Sequence, residues 1–269
     1  LGNKKPIGIF DSGLGGLTVV KAVRQELPNE SIVYFGDTAR VPYGNKSAQL
    51  IKEYSLEIAN FLLKYDTKII IIACNTATAL ALNSLEKQLN IPVIGVIKPG
   101  VNSALKLTRN KHIGIIGTIS TIDSGIYKKN IKDYDNKIKV TSTPCPLFVP
   151  LAEEGWLNEP ATKLIAKKYL QTINDANADT LILGCTHYPI LAEVIKSVLS
   201  PQTKLVDSAQ AIAIDTAKLL KINGLLSEEN AKGTLKLFVS DLPARFEDVA
   251  TRFLGEKIPD VQKIQLSRV

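Results

Sequence analysis

The chain has 269 residues, 45% of them hydrophobic and 22% charged, which is enough apolar material for one or two packed domains and too little charge for global disorder. No apolar run approaches the ~18 to 20 residues of a membrane helix, and "LGNKKPIGIF" has no signal-peptide core, so a soluble cytoplasmic protein with no membrane partner is expected. The net charge of +7 rests on lysines scattered as Lys4-Lys5, Lys128-Lys129 and Lys167-Lys168 without interleaved aromatics, which disfavours a nucleic-acid surface and suits anionic small molecules.

Along the chain, short β-branched runs alternate with longer amphipathic stretches. "PIGIF" (6–10) is strand-like and is followed by glycines and a helical pattern through Leu27. "SIVYFG" (31–36) is strand-like, 47–65 has helical spacing, "KIIIIAC" (68–74) is again strand-like, a helix follows to about Leu89, and "IPVIGV" (91–96) comes next. This order predicts βαβ units around a parallel sheet. The second half rhymes with the first. "IGIFDSG" from Ile7 and "IGIIGTI" from Ile113 each open a strand-turn-helix unit. Cys74 lies 67 residues after Ile7, and Cys185 lies 72 after Ile113. Another strand-like run follows each cysteine, "PVIGV" and "KLVDSA". Three matches in one order point to two similar α/β lobes, with crossovers near Pro99 and Asp207 at strand ends. The tail has a helical pattern, "AQAIAIDTAKLLKINGL", then "LKLFVSD"; its periodicity does not assign it to either lobe.

Ligands of open parallel sheets bind beyond the carboxyl ends of the strands, and the unusual residues stand there. Asp11 and Ser12 follow "IGIF", Gly36 and Asp37 follow "IVYF", and Cys74, Asn75 and Thr76 follow "IIIIA". Thr118 and Thr121 follow "IGIIG", and Cys185, Thr186 and His187 follow "LILG". "DSGLGGLT" is not a dinucleotide fingerprint, because Thr18 stands where the last glycine is required, and "YGNKS" lacks the P-loop order. What remains is a tight turn whose backbone N–H groups suit a carboxylate or a phosphate.

The three cysteines, Cys74, Cys145 and Cys185, are few and odd in number, with no CxxC, which argues against a disulfide framework or a zinc site. Cys145, between Pro144 and Pro146, reads as a buried apolar residue. Cys74 and Cys185 are followed by polar groups instead, each at a strand end where a helix N-terminus would stabilise a thiolate. His187 is either a proton partner for Cys185 or a polar histidine satisfied by backbone. Two readings stay open for the paired thiols. They are a redox pair, unusual at a separation of 111 residues, or one thiolate takes a proton from carbon while the other thiol donates one to the opposite face, which inverts a stereocentre. The second needs separate partners, Asp11 for Cys74 and His187 for Cys185.

"FDSGLGGLTV" (10–19), "YFGDTARVPYG" (34–44), "ACNTATA" (73–79) and "LGCTHYP" (183–189) resemble the glutamate racemase family. The resemblance implies a cofactor-independent interconversion of L- and D-glutamate that supplies D-glutamate for peptidoglycan. It implies two similar parallel-sheet α/β domains facing each other across a cleft and related by a pseudo-twofold. The C-terminal segment would return to the first, giving 1–98 with 208–269, and 99–207. Carried over by position, Cys74 and Cys185 are the acid/base groups, and Asp11 and His187 assist them. Ser12, Tyr43, Gly44, Asn75, Thr76, Thr118, Thr121 and Thr186 match substrate contacts, with Asp11 and His187 among them. Glu153, beside Glu154 in "VPLAEEG", matches a further acidic residue near the site. No cofactor and no metal are implied, and the partners expected are glutamate and a second copy of the chain. With five residues before Pro6, an N-terminal regulatory extension is expected to be absent. The alternatives are an aspartate racemase of the same superfamily, a solute-binding module closing on an amino acid, and a nucleic-acid-binding protein, the last favoured by net charge alone.

Overall fold

A computed structural model describes residues 3–228, 231–242, 246–258 and 260–266. In chain order the first stretch comprises β1 (Ile7–Asp11), α1 (Leu17–Glu26), β2 (Ile32–Gly36), α2 (Ala48–Leu63), β3 (Ile69–Ile72), α3 (Asn75–Gln88) and β4 (Val93–Gly95). The middle comprises α4 (Ile97–Leu107), β5 (His112–Gly117), α5 (Ile119–Asp123), α6 (Ile126–Tyr134) and β6 (Lys139–Pro144), then α7 (Phe148–Glu154), α8 (Pro160–Asp175), β7 (Thr180–Gly184), α9 (Ala192–Val198) and β8 (Lys204–Asp207). The tail adds α10 (Ser208–Ile222), β9 (Leu235–Val239), α11 (Phe246–Leu254) and β10 (Val261–Lys263). Two compact units result, one up to Val96 and again from Ala209, the other Ile97–Ser208.

The first unit is built on a sheet in the order β10-β9-β2-β1-β3-β4, with every described pair parallel. β1, β2 and β3 are buried along their whole length, which is why they read as continuous apolar runs rather than alternating ones. α2 starts where Ser47 accepts the Leu50 N–H and buries Ile51, Ser55, Ile58 and Leu62 at helical spacing. The tail belongs to this unit because β9 pairs with β2 in parallel. Its Phe238 stacks edge-on against Phe61, which does the same against Phe35. At the other ends of the strands a buried Lys68–Glu30 pair ties the tail down again. Lys68 Nζ donates to Leu225 O at 2.7 Å, and Ser227 N donates to Glu30 Oε1 at 2.7 Å.

The second unit has the sheet order β6-β5-β7-β8, again all parallel. The order β2-β1-β3-β4 of the first sheet and this one are the same path traced twice, so the repeat read from Ile7 and Ile113 is a repeat of topology. Its core centres on Phe148, edge-on to Tyr169 and Tyr188 at 5.4 and 5.3 Å. Pro99 is not at a strand end. It lies in the first turn of α4, where a missing N–H breaks no intrahelical bond, and the chain leaves the first unit after Val96.

Candidate active site

In the first unit the polar groups stand at the carboxyl ends of β1, β2 and β3. Asp11 is fully buried, and its Oδ2 accepts the Gly13 N–H at 3.1 Å. The turn is tight because Gly16 lies against Asp11; a Cβ at position 16 would come within 2.4 Å of the Asp11 Cβ. Tyr34 supports the turn from below, donating its hydroxyl to Gly13 O at 2.7 Å. Burial, then the nearby charges of Asp11 and Cys74, push the Tyr34 hydroxyl well above its ordinary pKa, so it stays a neutral donor. Cys74 is the N-cap of α3, and its Sγ accepts the Ala77 N–H at 3.4 Å. Its S–H is directed at Ser12 Oγ at 3.5 Å. Asn75 and Thr76 are buried in the first turn of the same helix. Tyr43 opens a short 3₁₀ turn, Tyr43–Asn45, which carries Gly44, and its hydroxyl donates to Asp37.

Gly36 makes the approach of β2 to the Asp11 turn possible. A Cβ there would stand 2.5 Å from Gly13 O. Gly36→Ala is therefore expected to lower stability by roughly 1–3 kcal/mol through backbone displacement, read as a fall in thermal unfolding temperature, with loss of activity alongside.

In the second unit, Thr118 caps α5, accepting the Thr121 N–H at 3.3 Å, and the two hydroxyls lie 2.9 Å apart. Cys185 follows β7, with its Sγ 3.8 Å from His187 Nδ1. Thr186 Oγ1 lies 3.5 Å from the same nitrogen. His187 Nε2 is 2.9 Å from Glu153 Oε1. α7 delivers Glu153 to this point because Phe148, earlier on the helix, packs on Tyr188, the residue after His187. Glu154 is exposed, so of the two neighbouring glutamates it is Glu153 that meets the histidine. Burial works against a charge on His187, but hydrogen bonds to Cys185 and Glu153, and then their charges, raise its pKa to about 10. The ring is an imidazolium at neutral pH, with both nitrogens as donors.

The two cysteines are thus served differently. Cys74 caps a fourteen-residue helix, whereas Cys185 leads into a 3₁₀ turn, Tyr188–Leu191, containing Pro189. Cys74 stands at a helix N-terminus as expected; Cys185, against expectation, does not, and its positive partner is His187. Cys145 is fully buried, and burial raises its pKa, as suits a core thiol. Among the described residues, no group of three or more His, Cys, Asp and Glu side chains is arranged to hold a metal ion.

The family model of the Asp/Glu/hydantoin racemases matches residues 17–216, which include both Cys74 and Cys185. A glutamate racemase of Geobacter metallireducens is 50% identical over 97% of this chain and 97% of its own. The chain belongs to the glutamate racemase family. Among solved structures, that of a Bacillus anthracis glutamate racemase isoform superposes with a TM-score of 0.94 at 38% identity, covering 97% of this chain and 98% of its own. A glutamate racemase from Francisella tularensis, solved with D-glutamate, gives 0.92 at 41% identity with the same coverage. The two parallel-sheet α/β domains are therefore the architecture of this racemase family. No described helix is long and apolar enough to cross a membrane.

Two supporting residues escape a sequence reading. Tyr34 lies within an apolar strand and gives no sign that its hydroxyl holds the Asp11 turn. Asp37 shows in the sequence only as a polar group at a strand end. The structure makes it a fully buried carboxylate with three side-chain donors.

Proposed function

We propose that this racemase-family chain interconverts L- and D-glutamate without a cofactor, with Cys74 and Cys185 as the two acid/base groups at Cα. The observation that carries the reading is the pair of buried thiols, each after the third strand of its own sheet and each given a distinct partner. Cys74 has Ser12 and the N-terminus of α3; Cys185 has the charged His187. A racemase of this kind needs one group to start as base while the other starts as acid, so unlike surroundings fit the task. One thiolate takes the Cα proton, the electron pair passes into the α-carboxylate, and the other thiol returns a proton to the opposite face; no net oxidation occurs. Asp11 assists Cys74 and His187 assists Cys185. Ser12, Tyr43, Gly44, Asn75, Thr76, Thr118, Thr121, Glu153 and Thr186 contribute substrate contacts. Glutamate brings two carboxylates, which suit hydroxyls, amides and backbone N–H groups at strand ends. The Cα proton is very weakly acidic, so preorganised hydrogen bonds to the α-carboxylate carry the developing charge. That the Francisella relative was solved with D-glutamate supports this choice of substrate. On the same footing we propose that the chain works as a cytoplasmic homodimer and supplies D-glutamate for peptidoglycan.

The test is incubation with L-glutamate in deuterated water, with no added cofactor, following optical rotation and deuterium at Cα. Loss of rotation, with deuterium appearing first in the D-glutamate formed rather than in the remaining L-glutamate, is the expected result. Exchange with aspartate and none with glutamate would move the substrate and keep the chemistry. No exchange with either would remove the racemase reading.

A further inference from the structure

We propose that Asp37 is a positioning residue that holds the Tyr43–Gly44 turn in the conformation that binds glutamate, setting substrate affinity rather than the rate of proton transfer. The inference rests on the racemase reading above and concerns groups of the first unit alone.

Asp37 follows β2 directly, and its N–H donates to Asp11 O at 3.0 Å, which locks it level with the end of β1. Its side chain is fully buried. A carboxylate taken out of water needs donors on both oxygens, and here it has them. Oδ1 accepts from Ser240 Oγ at 2.7 Å. Oδ2 accepts from Arg40 Nε at 2.7 Å and from the Tyr43 hydroxyl at 2.5 Å. Arg40 is itself held from the far side. Its Nη1 donates to Glu57 on α2, and its guanidinium lies 3.9 Å over the Tyr54 ring. Two side chains of the loop after β2, Arg40 and Tyr43, therefore close on one carboxylate, and that carboxylate is fastened to the strand bearing Asp11.

Burial and the Asp37 charge raise the Tyr43 hydroxyl well above its ordinary pKa, so its proton stays committed to Asp37. The anchor thereby fixes the backbone of the turn, and backbone N–H groups in turns suit a carboxylate.

The internal repeat supplies a control. In the second sheet the position after β6 is Cys145, and its N–H makes the matching bond to Gly117 O at 2.8 Å. Its side chain there is an apolar core thiol. The segment that follows leads directly into a regular helix, α7, rather than into an irregular loop. A carboxylate at this place is thus not demanded by the sheet. It occurs where the next segment is an irregular loop that has to be held in one shape.

An anchor that touches neither Cα nor a thiol stabilises bound substrate and transition state alike, so its loss raises KM and leaves kcat nearly alone. The experiment measures kcat and KM for L-glutamate in the whole protein and in Asp37→Asn, Asp37→Ala, Tyr43→Phe and the double variant Asp37→Asn/Tyr43→Phe. We expect KM to rise about tenfold in Asp37→Asn, the scale of one charge-assisted hydrogen bond, with kcat within about threefold. Tyr43→Phe shifts KM the same way, and the double variant is no worse than the worse single one, because both remove the same link. Unchanged KM in folded Asp37→Asn, a loss confined to kcat, or additive effects in the double variant would each overturn the proposal. If Asp37→Ala does not fold, the near-isosteric Asp37→Asn and Tyr43→Phe still decide it. A wild-type chain inactive on glutamate removes the racemase reading and this proposal together, whereas an active wild type with indifferent variants removes only the role of Asp37.

Discussion

Cys74→Ala and Cys185→Ala are each expected to lower racemisation by at least ~10³-fold in both directions, with the fold retained. Inversion at carbon needs one proton taken and one given on opposite faces, so a single remaining thiol cannot complete the reaction in either sense. Because the two act as a unit, the double variant is expected to be scarcely worse than either single one. The structural side effects differ. The Cys74 Sγ caps α3 through the Ala77 N–H, so Cys74→Ala loses a cap that, with sulfur a weak acceptor, is worth less than the ~1 kcal/mol of an oxygen cap, while Cys185 caps no described helix. Cys74→Ser separates the roles. Serine is a better cap than alanine, so thermal stability returns, but its hydroxyl is a weak base without activation and the rate does not. Circular dichroism of L- and D-glutamate solutions gives both rates, and thermal unfolding gives the stabilities. Wild-type activity in either alanine variant would end the two-thiol scheme.

The pH profile of kcat/KM is expected to stay level on the side set by His187 until about pH 10, and to break at lower pH in Glu153→Gln. Burial alone would keep the ring neutral; the hydrogen bonds and charges of Cys185 and Glu153 overcome it. Glu153→Gln removes one bond to a charged acceptor and one negative charge, so the imidazolium loses its proton sooner. His187→Asn removes the charged ring altogether and is expected to cost roughly 10²-fold in rate. The same shift governs stability. A histidine whose folded pKa lies above its ordinary 6.5 contributes stability that is complete below that value and disappears as pH rises toward about 10. Unfolding temperature should therefore fall across that interval from this group, and its upper end should move down in Glu153→Gln. Profiles of wild type and variant that break at the same pH would show that Glu153 does not control the ring.

Much of the fold is legible in the residues, because parallel strands buried on both faces leave uninterrupted runs such as "IIII" at 69–72. The repeat is legible too, since "IGIF" and "IGII" mark the central strand of each sheet. Element ends are less so. "KIIIIAC" reads as strand-like with Cys74 at its end; β3 stops at Ile72, so that Cys74 can take the cap of the next helix. A helix start after Cys185 is also illegible in "CTHYP", because Pro189 at the start of a short turn reads much like proline in a first helical turn.

The sequence by itself determined the sheet class and marked the candidate chemistry-bearing groups. Thiols followed by polar residues at the ends of apolar runs, and the glycine-rich turn after β1, are local patterns that one stretch of chain carries alone. Only the tertiary structure decided which distant groups meet. It put the tail strand β9 beside β2, selected Glu153 over Glu154 as the partner of His187, and gathered Arg40, Tyr43 and Ser240 onto Asp37. The physical reason is that a buried charge or an open strand edge requires some partner without specifying its place in the chain, and the packing of the whole unit makes that choice.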